Sequence, residues 1–214
     1  DNTGRNPQIL LKKNPPSWMK ETLQLLGFSA SDWTEWTDQT AVVSRLVVPK
    51  LNYVHSTGAT IQPFDRKWAS KRMISNANSK TQQSERIFLS RQGQPRRKLS
   101  NFNEISRILE EFDVEIIRPE ELSIEDQIGV FENAEVIVAP SGAALANMIF
   151  ASDATVIDIK PYVIYDDMWY IVSEENELYY SFVNCEPTEG AITKDTEQMR
   201  LNPTDLKRLL KEIV

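Results

Sequence analysis

The chain has 214 residues, 41% of them hydrophobic and 26% charged, which is enough for one large or two small cores and is unlike a disordered chain. A formal net charge of −7 argues against a general nucleic-acid binder, so any phosphate recognition has to be local. No apolar run approaches the ~20 residues of a bilayer span, and the polar opening DNTGRNPQ lacks a signal-peptide pattern, so a cytoplasmic or membrane-peripheral protein is expected. The single cysteine, Cys185, rules out an internal disulfide and reads as a packed core thiol; with only one histidine, His55, a metal site is not supported.

Gln8–Lys12 is a short apolar run, after which Pro15-Pro16-Ser17 opens an amphipathic helix through Leu23, Leu25 and Leu26 that stops at Gly27. A tryptophan-rich connection, Asp32–Asp38, leads to Ala41–Val48, whose β-branched residues closed by Pro49 predict a buried strand. Pro63–Asn78 has helical spacing in Phe64, Trp68 and Met73, with Pro63 suited to a first turn. The polar segment Ser75–Ser84 reads as a hinge or a long helix end.

From Glu85 the pattern alternates regularly. Strands are predicted at Arg86–Ser90, Val114–Arg118, Glu135–Ala139 and Thr155–Ile159, with helices near Asn103–Glu111, Ile124–Asn133 and Ala143–Phe150. A last strand, Tyr179–Val183, and a closing helix, Pro203–Ile213, complete a Rossmann-like parallel sheet with helices on both faces over residues 84–214. Residues 1–83 are too few for a second domain of that kind and read as a partial N-terminal α/β region.

The segment Ala134–Asn147 carries the chemistry. An apolar strand breaks at Pro140-Ser141-Gly142 and continues as a small-residue helix, which brings backbone N–H groups and the positive end of a helix dipole to one point, as an anion or phosphate site requires. Upstream, a strand ends in Arg91 and is followed by Arg96-Arg97-Lys98, so basic side chains can gather above the carboxyl edge of the same sheet.

Over roughly the last two-thirds of the chain these elements resemble glycosyltransferase family 61, whose bacterial members are often labelled capsular polysaccharide biosynthesis proteins. The resemblance is carried, in order, by Ser90-Arg91, Arg97-Lys98 with Asn101 and Glu104, Arg118-Pro119-Glu120, Gln127 and Phe131, Ala134, the run Ser141–Asn147, Phe150 and Asp158. It implies a GT-B architecture whose C-terminal domain binds a nucleotide sugar, a UDP-sugar by default, and transfer with inversion to a glycan acceptor, with no tightly bound cofactor. This sequence departs from the family where Ser141 stands in place of a histidine and Ala144 in place of a glycine. Serine can donate to a phosphate oxygen but cannot act as an imidazole base.

Negative charge grows on the departing diphosphate during such a transfer, so fixed cations and N–H donors lower the barrier. Arg91 and Arg97 are therefore assigned to the diphosphate, with the Gly142 and Ala143 N–H groups and the Ser141 hydroxyl as further donors. Arg91 reads equally well as a solvated strand cap, and the basic turn as a solvated one. Asn101, Gln127 and Asn147 are candidate donor-site amides, with Gln127 alternatively a flank of an apolar helix stripe. Asp158, at a strand end, can accept ribose hydroxyls or cap the Pro161 turn. Glu120 and Glu121 read as ordinary helix-start residues, and Asp166-Asp167 as dipole partners rather than a metal site.

For the base that deprotonates the acceptor, His55 is the candidate, with Asp65 as a substitute. Of the five tryptophans, Trp33 and Trp36 are the expected exposed pair for sugar stacking. The expected function is nucleotide-sugar-dependent glycosyl transfer. The alternative is a non-catalytic nucleotide or sugar-phosphate binding domain, which Ser141 favours. A dehydrogenase is remote, because no G-x-G-x-x-G follows a strand.

Overall fold

A computed structural model of the chain describes residues 8–37, 40, 42–43, 45–47, 52–53, 59–60, 63–80, 84–161, 167–188 and 198–214. The chain divides into two compact units, residues 1–77 and 78–214.

In the first unit the elements are Ile9–Lys12 (β1), Ser17–Leu25 (α1), Trp33–Trp36 (β2), Asn52–Tyr53 (β3), Ala59–Thr60 (β4) and Pro63–Asn76 (α2). β1 pairs in parallel with β2, and β3 pairs antiparallel with β4. α1 stops as its glycine predicts: Gly27 takes φ +92°, and the Phe28 N–H reaches back to the Leu23 carbonyl at 2.9 Å. The end of α1 is tied to α2, since Arg72 Nε and Asn76 Nδ2 donate to the Leu26 and Leu25 carbonyls at 2.7 and 2.8 Å.

Two sequence expectations are corrected in this unit. The predicted buried strand at Ala41–Val48 does not form over Val42–Val43 or Arg45–Val47, where Val42 is 97% exposed. β-propensity reflects packing on a pleated, half-buried surface, and this run lacks such a surface, with Leu46 65% and Val47 64% exposed. Trp33 and Trp36 lie in that strand rather than in a connection, and Trp18 and Trp68 are the more exposed indoles.

The second unit contains Arg86–Leu89 (β5), Lys98–Leu99 (β6), Phe102–Glu111 (α3), Glu115–Ile117 (β7), Ile124–Glu132 (α4), Val136–Pro140 (β8), Thr155–Pro161 (β9), Met168–Glu175 (α5), Tyr179–Pro187 (β10), Gln198–Arg200 (β11) and Pro203–Ile213 (α6). Its seven strands run in the order β6-β11-β10-β9-β8-β5-β7, parallel except where β11 meets β10. The unit is thus a mixed α/β structure around a mostly parallel sheet. The short strands β6 and β11 escaped the sequence reading, because two- and three-residue ladders carry no periodic signal.

Strand pleating sorts the core into two layers. Phe88, Val138, Ile157 and Val183 lie on one face and are covered by Ile105, Ile108 and Leu109 of α3 and by Leu206 and Leu210 of α6. Ile87, Ile137 and Val156 point to the other face and are 0% exposed. Each fully buried aliphatic side chain contributes about 1.5–3 kcal/mol before entropy is charged against it. Local signals set the helix starts: Asn202 caps α6 ahead of Pro203, and the Ser123 hydroxyl accepts the Asp126 N–H at the start of α4.

The segment after β8, Ala143–Phe150, is helical over the predicted residues and takes 3-10 geometry. Leu145 and Met148, three residues apart, are both 0% exposed, and a three-residue turn places such a pair directly above one another.

Cys185 is buried on β10, and burial, followed by the nearby Glu186 carboxylate, pushes its thiol up to about 12. At mildly alkaline pH the native protein is therefore expected to resist thiol alkylation. One reactive thiol per chain should appear in concentrated guanidinium. Rapid labelling of the native chain would show that β10 opens readily.

Candidate functional site

The sheet order creates the site. β7 lies on one side of β5 and β8 on the other, so the chain reverses direction of travel between β5 and β8. Crevices of this kind, at the carboxyl ends of parallel strands, are where α/β sheets bind ligands. The registers Leu89↔Ile117 and Phe88↔Val138 bring three strand ends to one level: Arg91 after β5, Glu120 after β7 and Ser141 after β8.

The two arginines meet at the Ser-Gly turn. Arg97 Nη1 donates to the Ser141 carbonyl, and Arg91 Nε donates to the Arg96 carbonyl at 3.1 Å, so each guanidinium is held by backbone. Arg91 Nη1 lies 2.5 Å from where a Cβ on Gly142 would sit. Gly142 itself is extended, with φ 170° and ψ 175°, so its backbone would accept any residue, and what the missing side chain leaves is the space that the Arg91 guanidinium occupies. Arg97 adopts φ +59°, a conformation that folds the basic turn back toward β8. Burial, followed by the positive charge of Arg97, lowers the Arg91 guanidinium below its ordinary value, while Glu120 pulls the other way. Two like charges brought together in partly dry surroundings make a place where an added anion is stabilised.

Ser141 is anchored throughout. Its N–H bonds to the Ile159 carbonyl at 2.9 Å, its carbonyl accepts from Arg97, and its hydroxyl faces Asp158 Oδ2 at 3.5 Å. Asp158 is 0% exposed and accepts from the Tyr180 hydroxyl at 2.8 Å, with Lys160 Nζ 3.8 Å from the same oxygen. Lys160 also lies 5.5 and 5.6 Å from the ring centres of Tyr180 and Phe182. Asp158 is thus a buried anchor behind the turn. Lys160 and Tyr180 were not among the sequence candidates; Lys160 was findable, since it lies two residues from Asp158 on a strand and shares its face.

Gln127 and Asn147 form a second group. Asn147 Nδ2 donates to Gln127 Oε1 at 2.7 Å, and Gln127 Nε2 donates to the Pro119 and Leu122 carbonyls at 2.9 and 3.3 Å. They bind the 3-10 helix after Gly142 to the turn Pro119–Glu121. Asn101 serves a different joint: its amide donates to the Leu201 carbonyl at 2.8 Å and to Glu104 Oε2 at 3.1 Å, and its oxygen accepts the Leu201 N–H at 3.3 Å. Ala143 is exposed at the first position of the 3-10 helix.

Of the candidate bases, His55 lies outside the described residues, and Asp65 is exposed in the first turn of α2, in the other unit. Asp167 stands at the start of α5, whereas Asp166 lies outside the described residues. Among the described residues no group of three or more His, Cys, Asp or Glu is placed to hold a metal, and no helix is long and apolar enough to cross a membrane.

No curated protein matches the chain. A family model does: Glycosyltransferase 61 matches residues 16–157, more than half of the sequence, and the matched span runs through α1, both arginines, the Ser-Gly turn and the greater part of the sheet. The chain belongs to glycosyltransferase family 61.

Proposed function

We propose that the chain transfers a sugar from a nucleotide-sugar donor to a glycan or surface-polysaccharide acceptor, with inversion at the anomeric carbon, and that residues 84–214 are the donor-binding half of a GT-B arrangement. The observation that carries this reading is the convergence of Arg91 and Arg97 on the Ser141-Gly142 turn at the point where the strand order reverses. The donor diphosphate lies against Arg91, Arg97 and the Gly142 and Ala143 N–H groups. These stabilise the charge that develops as the anomeric C–O bond breaks, without titrating near neutral pH. Asp158 steadies the turn through Ser141, and Gln127 and Asn147 hold the flanking segments in register. His55, or Asp65 in its place, takes the proton from the acceptor hydroxyl. UDP-sugars are the default donors.

A second reading, a nucleotide or sugar-phosphate binding domain without turnover, is favoured by one observation: the N–H, carbonyl and hydroxyl of Ser141 are all turned to protein partners.

The test is a thermal-shift titration with uridine, guanosine and cytidine nucleotides and their sugars. A ligand at about 100 times its Kd stabilises by about 2.7 kcal/mol. The expected result is a nucleotide-selective shift that Arg91→Ala removes, followed by donor turnover with a glycan acceptor. A shift without turnover supports the binding-domain reading, and no shift with any nucleotide overturns both.

A further inference from the structure

Glu120 has no role in the site as described, yet it stands at the third of the adjacent strand ends. Its carboxylate reaches into the loop that carries the arginines: Glu120 Oε1 lies 3.2 Å from where a Cβ on Gly93 would sit, and Gly93 is two residues beyond Arg91. The turn Pro119–Glu121 that presents it is held in place, because Gln127 grips the Pro119 and Leu122 carbonyls and is itself gripped by Asn147 from the segment following Gly142. The hydrogen bonds that order the phosphate turn therefore also fix where this carboxylate stands. Glu120 is exposed, and its charge, opposite in sign to Arg91 and Arg97 and equal in sign to a ligand phosphate, works against the lowering of the Arg91 guanidinium that burial and Arg97 produce.

We propose that Glu120 is a built-in counter-anion of the donor site, which partly neutralises Arg91 in the empty protein and holds down the affinity of the site for anions, most of all for the most highly charged. This rests on the donor-site reading above. With Glu120 in place the local charge is two guanidiniums less one carboxylate. An anion entering that field meets repulsion as well as attraction, and both grow with its charge. The same carboxylate keeps two neighbouring like charges from destabilising the unliganded turn.

The experiment is calorimetric titration of inorganic pyrophosphate and of inorganic phosphate into wild type, Glu120→Gln, Glu121→Gln and Arg91→Ala, at fixed ionic strength near neutral pH. Glu121 removes the same unit of net charge but is paired with Arg118 at 3.0 Å, which makes it the control. Glu120→Gln is expected to tighten both anions, pyrophosphate by about three- to tenfold and phosphate by less, with a steeper salt dependence. Glu121→Gln is expected to change affinity by less than about twofold. A gain of affinity is not something that a merely structural residue would yield on removal. Unchanged or weaker pyrophosphate binding in a folded Glu120→Gln protein, with wild type still binding and Arg91→Ala not, overturns the counter-anion and leaves the donor site standing. Equal gains from both glutamine variants also overturn it, in favour of net charge. Failure of wild type and Glu120→Gln alike to bind pyrophosphate overturns the proposal together with the donor-site reading.

Discussion

Gly142→Ala is expected to weaken nucleotide binding by about 10- to 100-fold, the worth of a charge-assisted hydrogen bond, while the protein remains folded. The added methyl group would sit 2.5 Å from Arg91 Nη1 and 3.3 Å from its Cζ, closer than carbon approaches any neighbour, whereas the nearest backbone atom, the Pro140 carbonyl oxygen, would be 3.6 Å away. The extended backbone at Gly142 admits alanine without strain. The guanidinium therefore yields and the turn does not, so the cation is kept and its aim is lost. The melting temperature should change by less than about 2 °C, since nothing in the core is disturbed. Binding measured by calorimetry, beside a denaturation curve, separates the two effects. Wild-type affinity in Gly142→Ala would show that Arg91 reaches its ligand from another position.

The second large effect concerns stability. Asp158→Ala should cost about 3–5 kcal/mol, a large part of the roughly 5–15 kcal/mol that holds a domain folded. Asp158 is fully buried on β9 and receives the Tyr180 hydroxyl, the Ser141 hydroxyl and the charge of Lys160, whose side chain is only 11% exposed. Removing the carboxylate leaves the ammonium in the same low-dielectric surroundings without that counter-charge, and two hydroxyl groups without that acceptor. If this account is right, Lys160→Met in the Asp158→Ala background restores part of the loss, and urea denaturation of the single and double variants gives the coupling. A loss below about 1 kcal/mol would show that the Lys160 head group finds water when its partner is gone.

The second unit was legible in the sequence because each of its elements announces itself locally. Alternating apolar runs bounded by turn residues marked β5, β7, β8 and β9, and α3 and α6 carried a clear apolar stripe. Arg91, Arg97, Ser141 and Gly142 could be singled out for the same reason: a strand end followed by basic or Ser-Gly residues has one chemical use that strand interiors do not. The first unit was less legible. Its Trp33–Trp36 strand is short and reads as polar, and the β-branched run Val42–Val47 has strand propensity without the buried surface that turns propensity into a strand. The 3-10 geometry of Ala143–Phe150 was hidden because three- and four-residue spacings look alike over eight positions.

By itself, then, the sequence determined the α/β class, the strand ends that carry the charged residues and the family to which the chain belongs, because periodicity and motif order are local properties of a chain. Only the tertiary structure decided which strand ends are neighbours, and with them which side chains act together. That Arg91, Glu120 and Ser141 stand side by side follows from β5 lying between β7 and β8, and that Asp158 bonds Tyr180 follows from the register of β9 on β10. Those pairings join residues far apart in the chain. They are selected by burial of both sheet faces at once, a cooperative term that no window of sequence contains.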